Sequence, residues 1–190
     1  MSVAGSRPRL AVLGMGGTID KDYPRSTRGY AFEIDEPAAE RMLGAMPFLS
    51  ISWRVESIVR KDSTEITDAD RELLVAAVRR APEERIVVTH GTDTLIETAQ
   101  FLHRSGAAAA KAVAFVGAMK PERFKDSDAG FNLGVAVGAT ALLSPGRVVV
   151  TMGGDVRDCG AVERDLTTGL FVAAPSTASS AEPPPKRPCV

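Results

Sequence analysis

Ile86-Val87-Val88-Thr89-His90-Gly91-Thr92-Asp93-Thr94-Leu95-Ile96-Glu97-Thr98-Ala99 passes from a short apolar run, through a polar bend, into a helical pattern. Residues 86–89 read as a strand and 94–105 as a helix, so the segment is one strand–loop–helix unit. The alternation continues on both sides. Strands are expected at 10–13, 54–59, 112–116 and 148–152, and helices at about 36–46, 68–81 and 129–143. Thr67 with Asp70 three residues on resembles a capping box, and Pro37 suits a first helical turn. Pro82, Gly106 and Pro145 fit helix ends. Strands and helices alternating at this spacing predict an α/β fold: an open, mainly parallel sheet flanked by helices on both faces. In such sheets ligands bind beyond the carboxyl ends of the strands, so residues directly after strands are the candidates for function.

Composition narrows the class. A chain of 190 residues is enough for one domain with a core and tight for two. Residues 174–190, rich in Pro, Ser and Ala, cannot offset their ordering entropy by burial and are expected to be a disordered tail. With residues 1–7 expected to be loose, the folded unit is 8–173. A net charge of -1 and an isoelectric point near 6.2 leave no electrostatic footprint for nucleic acid or an anionic membrane. No apolar run approaches the roughly 20 residues that span a bilayer. The first residues hold two arginines and no apolar stretch, which does not read as a secretory leader. A cytoplasmic location is expected. Cys159 and Cys189 are the two cysteines, and they build neither a disulfide framework nor a metal site.

Four polar clusters follow strands. Gly14-Met15-Gly16-Gly17-Thr18-Ile19-Asp20 lets the backbone turn sharply and places the Thr18 hydroxyl at the tip. It matches neither the dinucleotide nor the P-loop pattern, and a plain glycine turn accounts for it equally well. Thr89-His90-Gly91-Thr92-Asp93-Thr94 sets two hydroxyls and a carboxylate where a strand hands over to a helix. Capping explains one of these residues but not the set. His90 reads as a buried, hydrogen-bonded residue rather than a ligand, because His103 lies on the following helix. Asp62 and Ser63, in Lys61-Asp62-Ser63-Thr64-Glu65-Ile66-Thr67-Asp68, would line the same crevice. Gly117-Ala118-Met119-Lys120-Pro121 either brings Lys120 to the pocket or is a solvated basic loop.

These residues resemble the two signature motifs of the bacterial-type L-asparaginases, the threonine amidohydrolases. The motifs are Gly16-Gly17-Thr18-Ile19 and His90-Gly91-Thr92-Asp93-Thr94-Leu95-Ile96-Glu97-Thr98-Ala99. The resemblance runs on through Lys61-Asp62-Ser63, Ile66-Thr67-Asp68, Gly117–Pro121 and Phe131-Asn132-Leu133, and covers about residues 9–172. It implies the flavodoxin-like domain of that family, and hydrolysis of L-asparagine to L-aspartate and ammonia without cofactor or metal. By resemblance Thr18 is the nucleophile that forms an acyl-enzyme, with Thr92 across the amide and Asp93 holding the substrate ammonium. Backbone N–H groups near Gly91 and Thr92 are placed to stabilise the oxyanion. Asp62 and Ser63 match the substrate-carboxylate loop, and Tyr30 matches the tyrosine of a lid spanning about residues 22–29. The family also implies a homo-oligomer, a dimer or tetramer. Gly130, Gly134 and Gly138 form a stripe on one helix face that would serve close packing, either on a partner or on the chain's own sheet.

The chain departs from the family pattern twice. It resembles the short, single-domain form, lacking the second domain that gives an acidic group to a neighbouring pocket. Arg164 stands where the family carries a catalytic lysine, and no lysine occurs between Asp126 and Pro185. Arginine keeps its proton, so Arg164 would anchor Asp93 by a bidentate ion pair rather than act as a base. Slower turnover is expected, unless Lys61 or Lys120 does the proton work. Two other readings remain at this stage: a non-catalytic module binding a small amino acid, and an amidase for another primary amide.

Overall fold

The computed structural model describes residues 7–24 and 32–175. In chain order the elements are β1 (Arg9–Gly16), β2 (Lys21–Asp22), β3 (Glu33–Ile34), α1 (Ala38–Gly44), β4 (Ser52–Lys61), α2 (Asp68–Arg80) and β5 (Arg85–Thr89). They are followed by α3 (Leu95–Arg104), β6 (Ala112–Val116), α4 (Ala129–Leu142), β7 (Val148–Met152), β8 (Asp155–Asp158), β9 (Val162–Arg164) and β10 (Phe171–Ala173). One six-stranded sheet has the order β4-β1-β5-β6-β7-β8. Its first five strands are parallel and β8 runs antiparallel to β7. This is the doubly wound α/β fold expected from the alternation.

The strands are apolar throughout because both faces are covered. Ala11, Leu13, Ile86, Val88, Val113 and Phe115 point into one core, with α2 and α3. Leu10, Val12, Val87, Ala114 and Val116 point into the other, with α1 and α4. A one-residue slip of any central strand would exchange these sets, so the two cores lock the register that aligns the strand ends. Each buried Leu, Val or Phe side chain contributes about 1.5–3 kcal/mol to that lock.

Local chemistry sets the element ends. Thr67 and Asp70 form the expected capping box at the start of α2. Lys61 binds both oxygens of Asp70 at 2.8 Å, which ties the end of β4 to that helix. Gly106 turns out of α3 with φ +69°.

Several boundaries differ from the sequence reading. β1 runs on through the glycines, with a register shift between Gly14 and Gly16, because glycine tolerates the bulge. Pro37 is the N-cap of α1 rather than a residue of its first turn. The short ladders β2–β3 and β9–β10 and the antiparallel β8 were not expected. Both edges of the main sheet carry charge: Arg54, Glu56 and Arg60 on β4, and Asp155, Arg157 and Asp158 on β8.

The glycine stripe of α4 does not serve packing on the chain's own sheet. A Cβ at Gly130, Gly134 or Gly138 would meet nothing within 4 Å. That face is open among the described residues, with Phe131 and Leu142 exposed beside it. The main chain is bonded as far as Ala174, whose N–H donates to Ala161 O at 3.1 Å. The expected loose start before Arg7, the tail from residue 176, Cys189, the lid segment 25–29 and Tyr30 lie outside the described residues.

Candidate active site

The strand order reverses at β1, whose neighbours β4 and β5 are reached by connections leading to opposite sides. Such a switch point opens a crevice above the strand ends. Gly16 and Gly17 end β1 there with φ +83° and +90°, values that a side chain would strain. A Cβ on Gly17 would lie 2.3 Å from Gly91 Cα, and one on Gly91 would lie 2.7 Å from Ser63 Oγ. The loops after β1 and β5 therefore touch backbone to backbone, and the loop after β4 meets Gly91 through the Ser63 side chain. Thr18 and Thr92, each directly after one of those glycines, are carried on facing loops.

Hydrogen bonds fix the three loops together. Gly17 N–H donates to Lys61 O at 3.0 Å. Thr94 Oγ1 donates to Ser63 O at 2.7 Å, and Asp93 N–H donates to Ser63 Oγ at 3.3 Å. Thr94 is the N-cap of α3 but makes no side-chain cap bond. Simple capping thus fails to explain Thr92, Asp93 and Thr94. Asp62 does cap: it accepts from Thr64 N–H at 3.3 Å and pairs with Lys21 at 3.1 Å. Burial pushes its carboxyl up, but the Lys21 and Thr64 bonds outweigh this and hold it below the ordinary range. Ser63 is buried, Thr92 nearly so, and Thr18 half-buried.

Arg164, on β9, reaches Asp93 through Nη1 to Oδ1. This is a single contact rather than the expected fork, and Nε of Arg164 is buried with no partner among the described residues. The two lysines considered as substitutes are engaged elsewhere, Lys61 with Asp70 and Lys120 with Asp126. His90 is fully buried, as expected. Its Nδ1 lies 2.8 Å from Gly91 O, and a carbonyl only accepts, so Nδ1 carries the proton. Burial lowers its pKa to about 4, so the ring is neutral and holds the Gly91 carbonyl in place. Beside the Arg164 hairpin lies an apolar cavity of about 280 Å³, with Met119, Met152 and Leu170 in its wall.

Sequence reasoning gave Asp20 no role. It follows the Thr18 turn, is 1% exposed, and accepts from Ala38 N–H at 2.7 Å. Asp35 N–H donates to its carbonyl at 3.0 Å. Asp20 thereby closes the base of the segment between β1 and α1. The signal was an acidic residue next to buried Ile19, but its partners lie 15 and 18 residues away.

A doubly wound domain whose switch point brings the Thr18 loop against the Thr92–Asp93 loop is an α/β domain with a ligand crevice beyond its strand ends. Residues 9–171 match the family described as "Asparaginase, N-terminal", and the chain belongs to it. The chain is 30% identical over 173 residues to the probable periplasmic L-asparaginase of Haemophilus influenzae, covering 88% of this chain and 49% of that one. It is 31% identical to L-asparaginase 2 of Escherichia coli, covering 86% of this chain and 48% of the other. The thermostable L-asparaginase of Thermococcus kodakarensis superposes with a TM-score of 0.73 at 26% identity, over 87% of this chain and 51% of that one. The chain thus spans about half the length of these relatives.

Burial raises the Asp20 carboxyl to about 7 against the pull of the Ala38 N–H and of Arg41 and Arg60. An unfolded aspartate loses its proton near 3.8, whereas the native one keeps it to about 7. Stability therefore falls as pH rises through that window and levels off above it, by an amount on the order of 4 kcal/mol. Asp20→Asn, which still accepts from Ala38, is expected to remove this slope in urea midpoints measured from pH 4 to 8. An unchanged slope would assign the pH dependence to other groups.

Proposed function

We propose that the domain hydrolyses the side-chain amide of L-asparagine through an acyl-enzyme on Thr18. The observation that carries this reading is the Gly17–Gly91 backbone contact, which puts the Thr18 and Thr92 loops face to face at the switch point. Thr18 Oγ attacks the amide carbonyl carbon, and the oxyanion is met by main-chain N–H groups near Gly91 and Thr92. The C–N bond then breaks and ammonia leaves, after which water hydrolyses the Thr18 ester to release aspartate. Thr92 relays the proton to the leaving nitrogen. Ser63 and Asp62 form the wall that receives the substrate carboxylate, with Lys21 beside them. Tyr30 and the lid segment belong to this proposal on resemblance alone, as does a cytoplasmic location on composition. Among the described residues no helix is long and apolar enough to cross a membrane.

A homo-oligomer completes the reading. The open stripe of α4, which carries no charged residue, offers a face where a second backbone can approach closely. Light scattering at micromolar concentration should show a particle larger than 20 kDa.

Thr18→Ala should cut kcat by more than about 10³-fold in a coupled ammonia assay while the fold survives. A well-folded variant keeping a tenth of the activity would refute Thr18 as nucleophile. Binding of aspartate without any ammonia release would instead support a module that binds and does not turn over.

Arg164 keeps its proton and leaves the relay without a base, so turnover should be slow. Arg164→Lys is expected to raise kcat about tenfold, equivalent to about 1.4 kcal/mol, with little change in KM. Lys61→Ala and Lys120→Ala, measured alongside, test the rival. An unimproved Arg164→Lys together with silence in one lysine deletion would overturn the role given to Arg164.

A further inference from the structure

The charges around the crevice occur in matched pairs. β2 carries Asp22, and the loops after β4 and β5 carry Asp62 and Asp93. Each is met by a cation: Asp22 by Arg123 at 2.7 Å, Asp62 by Lys21 at 3.1 Å, and Asp93 by Arg164. The Asp93 pair differs from the other two in its setting. Asp93 stands directly beside Thr92, its side chain is half exposed, and its cation comes from a separate hairpin, β9–β10. Arginine does not give up its proton at any working pH, so this neutralisation is permanent. A ligand ammonium arriving at Asp93 would meet a carboxylate already balanced, with a fixed positive charge next to it. A ligand without that ammonium loses nothing there. The Nε of Arg164, buried with no acceptor among the described residues, adds a spare donor.

We propose that Arg164 sets substrate choice by neutralising Asp93, so that the site takes ω-monoamides of dicarboxylic acids lacking an α-ammonium at least as well as asparagine. This rests on the amidohydrolase reading and narrows its substrate class. Arg164 is here a specificity-determining residue, and its effect should appear in KM more than in kcat.

The test compares succinamate, the four-carbon monoamide without an amino group, with L-asparagine in the ammonia assay. The wild-type chain should show kcat/KM for succinamate equal to or above that for asparagine. Arg164→Gln leaves Asp93 unbalanced and should shift the ratio at least tenfold toward asparagine, mainly through KM. Arg164→Lys keeps a cation beside Asp93 and should hold the wild-type ratio, with kcat raised for both amides. A wild-type preference for asparagine above tenfold, or a ratio unmoved in Arg164→Gln, overturns the proposal while leaving the hydrolase reading intact. If neither amide releases ammonia, the hydrolase reading fails, and calorimetry on the wild-type chain decides the proposal on its own. Succinamate binding as tightly as asparagine or tighter supports it; tighter asparagine, or no binding of either, overturns it.

Discussion

Everything at the strand ends depends on two positions having no Cβ. Gly17 and Gly91 let the loops after β1 and β5 meet backbone to backbone, and a methyl group on Gly17 would sit 2.3 Å from its neighbour. No side-chain rearrangement relieves a clash with main chain. Glycine therefore fixes how near Thr18 lies to the Thr92 loop. The sheet supplies only the coarse placement. The two cores hold β1 and β5 in parallel register, from Leu10 against Arg85 to Gly14 against Thr89. The glycines then convert that register into contact.

Around this contact, polar groups work mainly as ties between elements distant in sequence. Ser63 receives bonds from both Asp93 and Thr94, and His90 pins Gly91 from below. Asp20 reaches Ala38, and Arg41 reaches Glu122 at 2.7 Å, so α1 and the loop after β6 both brace the Thr18 turn. Such buried or half-buried bonds stabilise modestly one by one, and removing one partner costs more than forming the pair gained. Their larger effect is positional, since each removes a direction in which the turn could move.

The five parallel strands and four helices were legible because each follows from a local pattern: apolar runs of strand length, the Thr67–Asp70 cap, and Gly or Pro at helix ends. The candidate residues Thr18, Ser63, Thr92 and Asp93 were legible because polar residues stood where strands end. What escaped has non-local causes. The two-residue ladder of Lys21 with Ile34 and the β9–β10 pairing exist only through their partners. The importance of Asp20 depends on burial by segments far along the chain. Arg164 was found by resemblance, and its single-nitrogen contact with Asp93 depends on how the hairpin packs. The α4 glycines show the opposite limit, for a stripe of small residues says that something can come close without saying from which side.

The charged edges of the main sheet have a consequence for the colloidal behaviour of the protein. β4 is a ten-residue outer strand with one side unpaired among the described residues, the sort of edge that recruits further strands. Arg54, Glu56 and Arg60 stud it, with Arg54 shared between Glu56 and Glu83. β8, on the far edge, is short and carries Asp155, Arg157 and Asp158. An incoming strand would have to desolvate these ions, and that cost keeps the ladder closed at six strands. The barrier is ionic, so it is set by the solvent as well as by the sequence: acid that protonates the glutamates, or concentrated salt, lowers it and opens a route from soluble particle to stacked sheet.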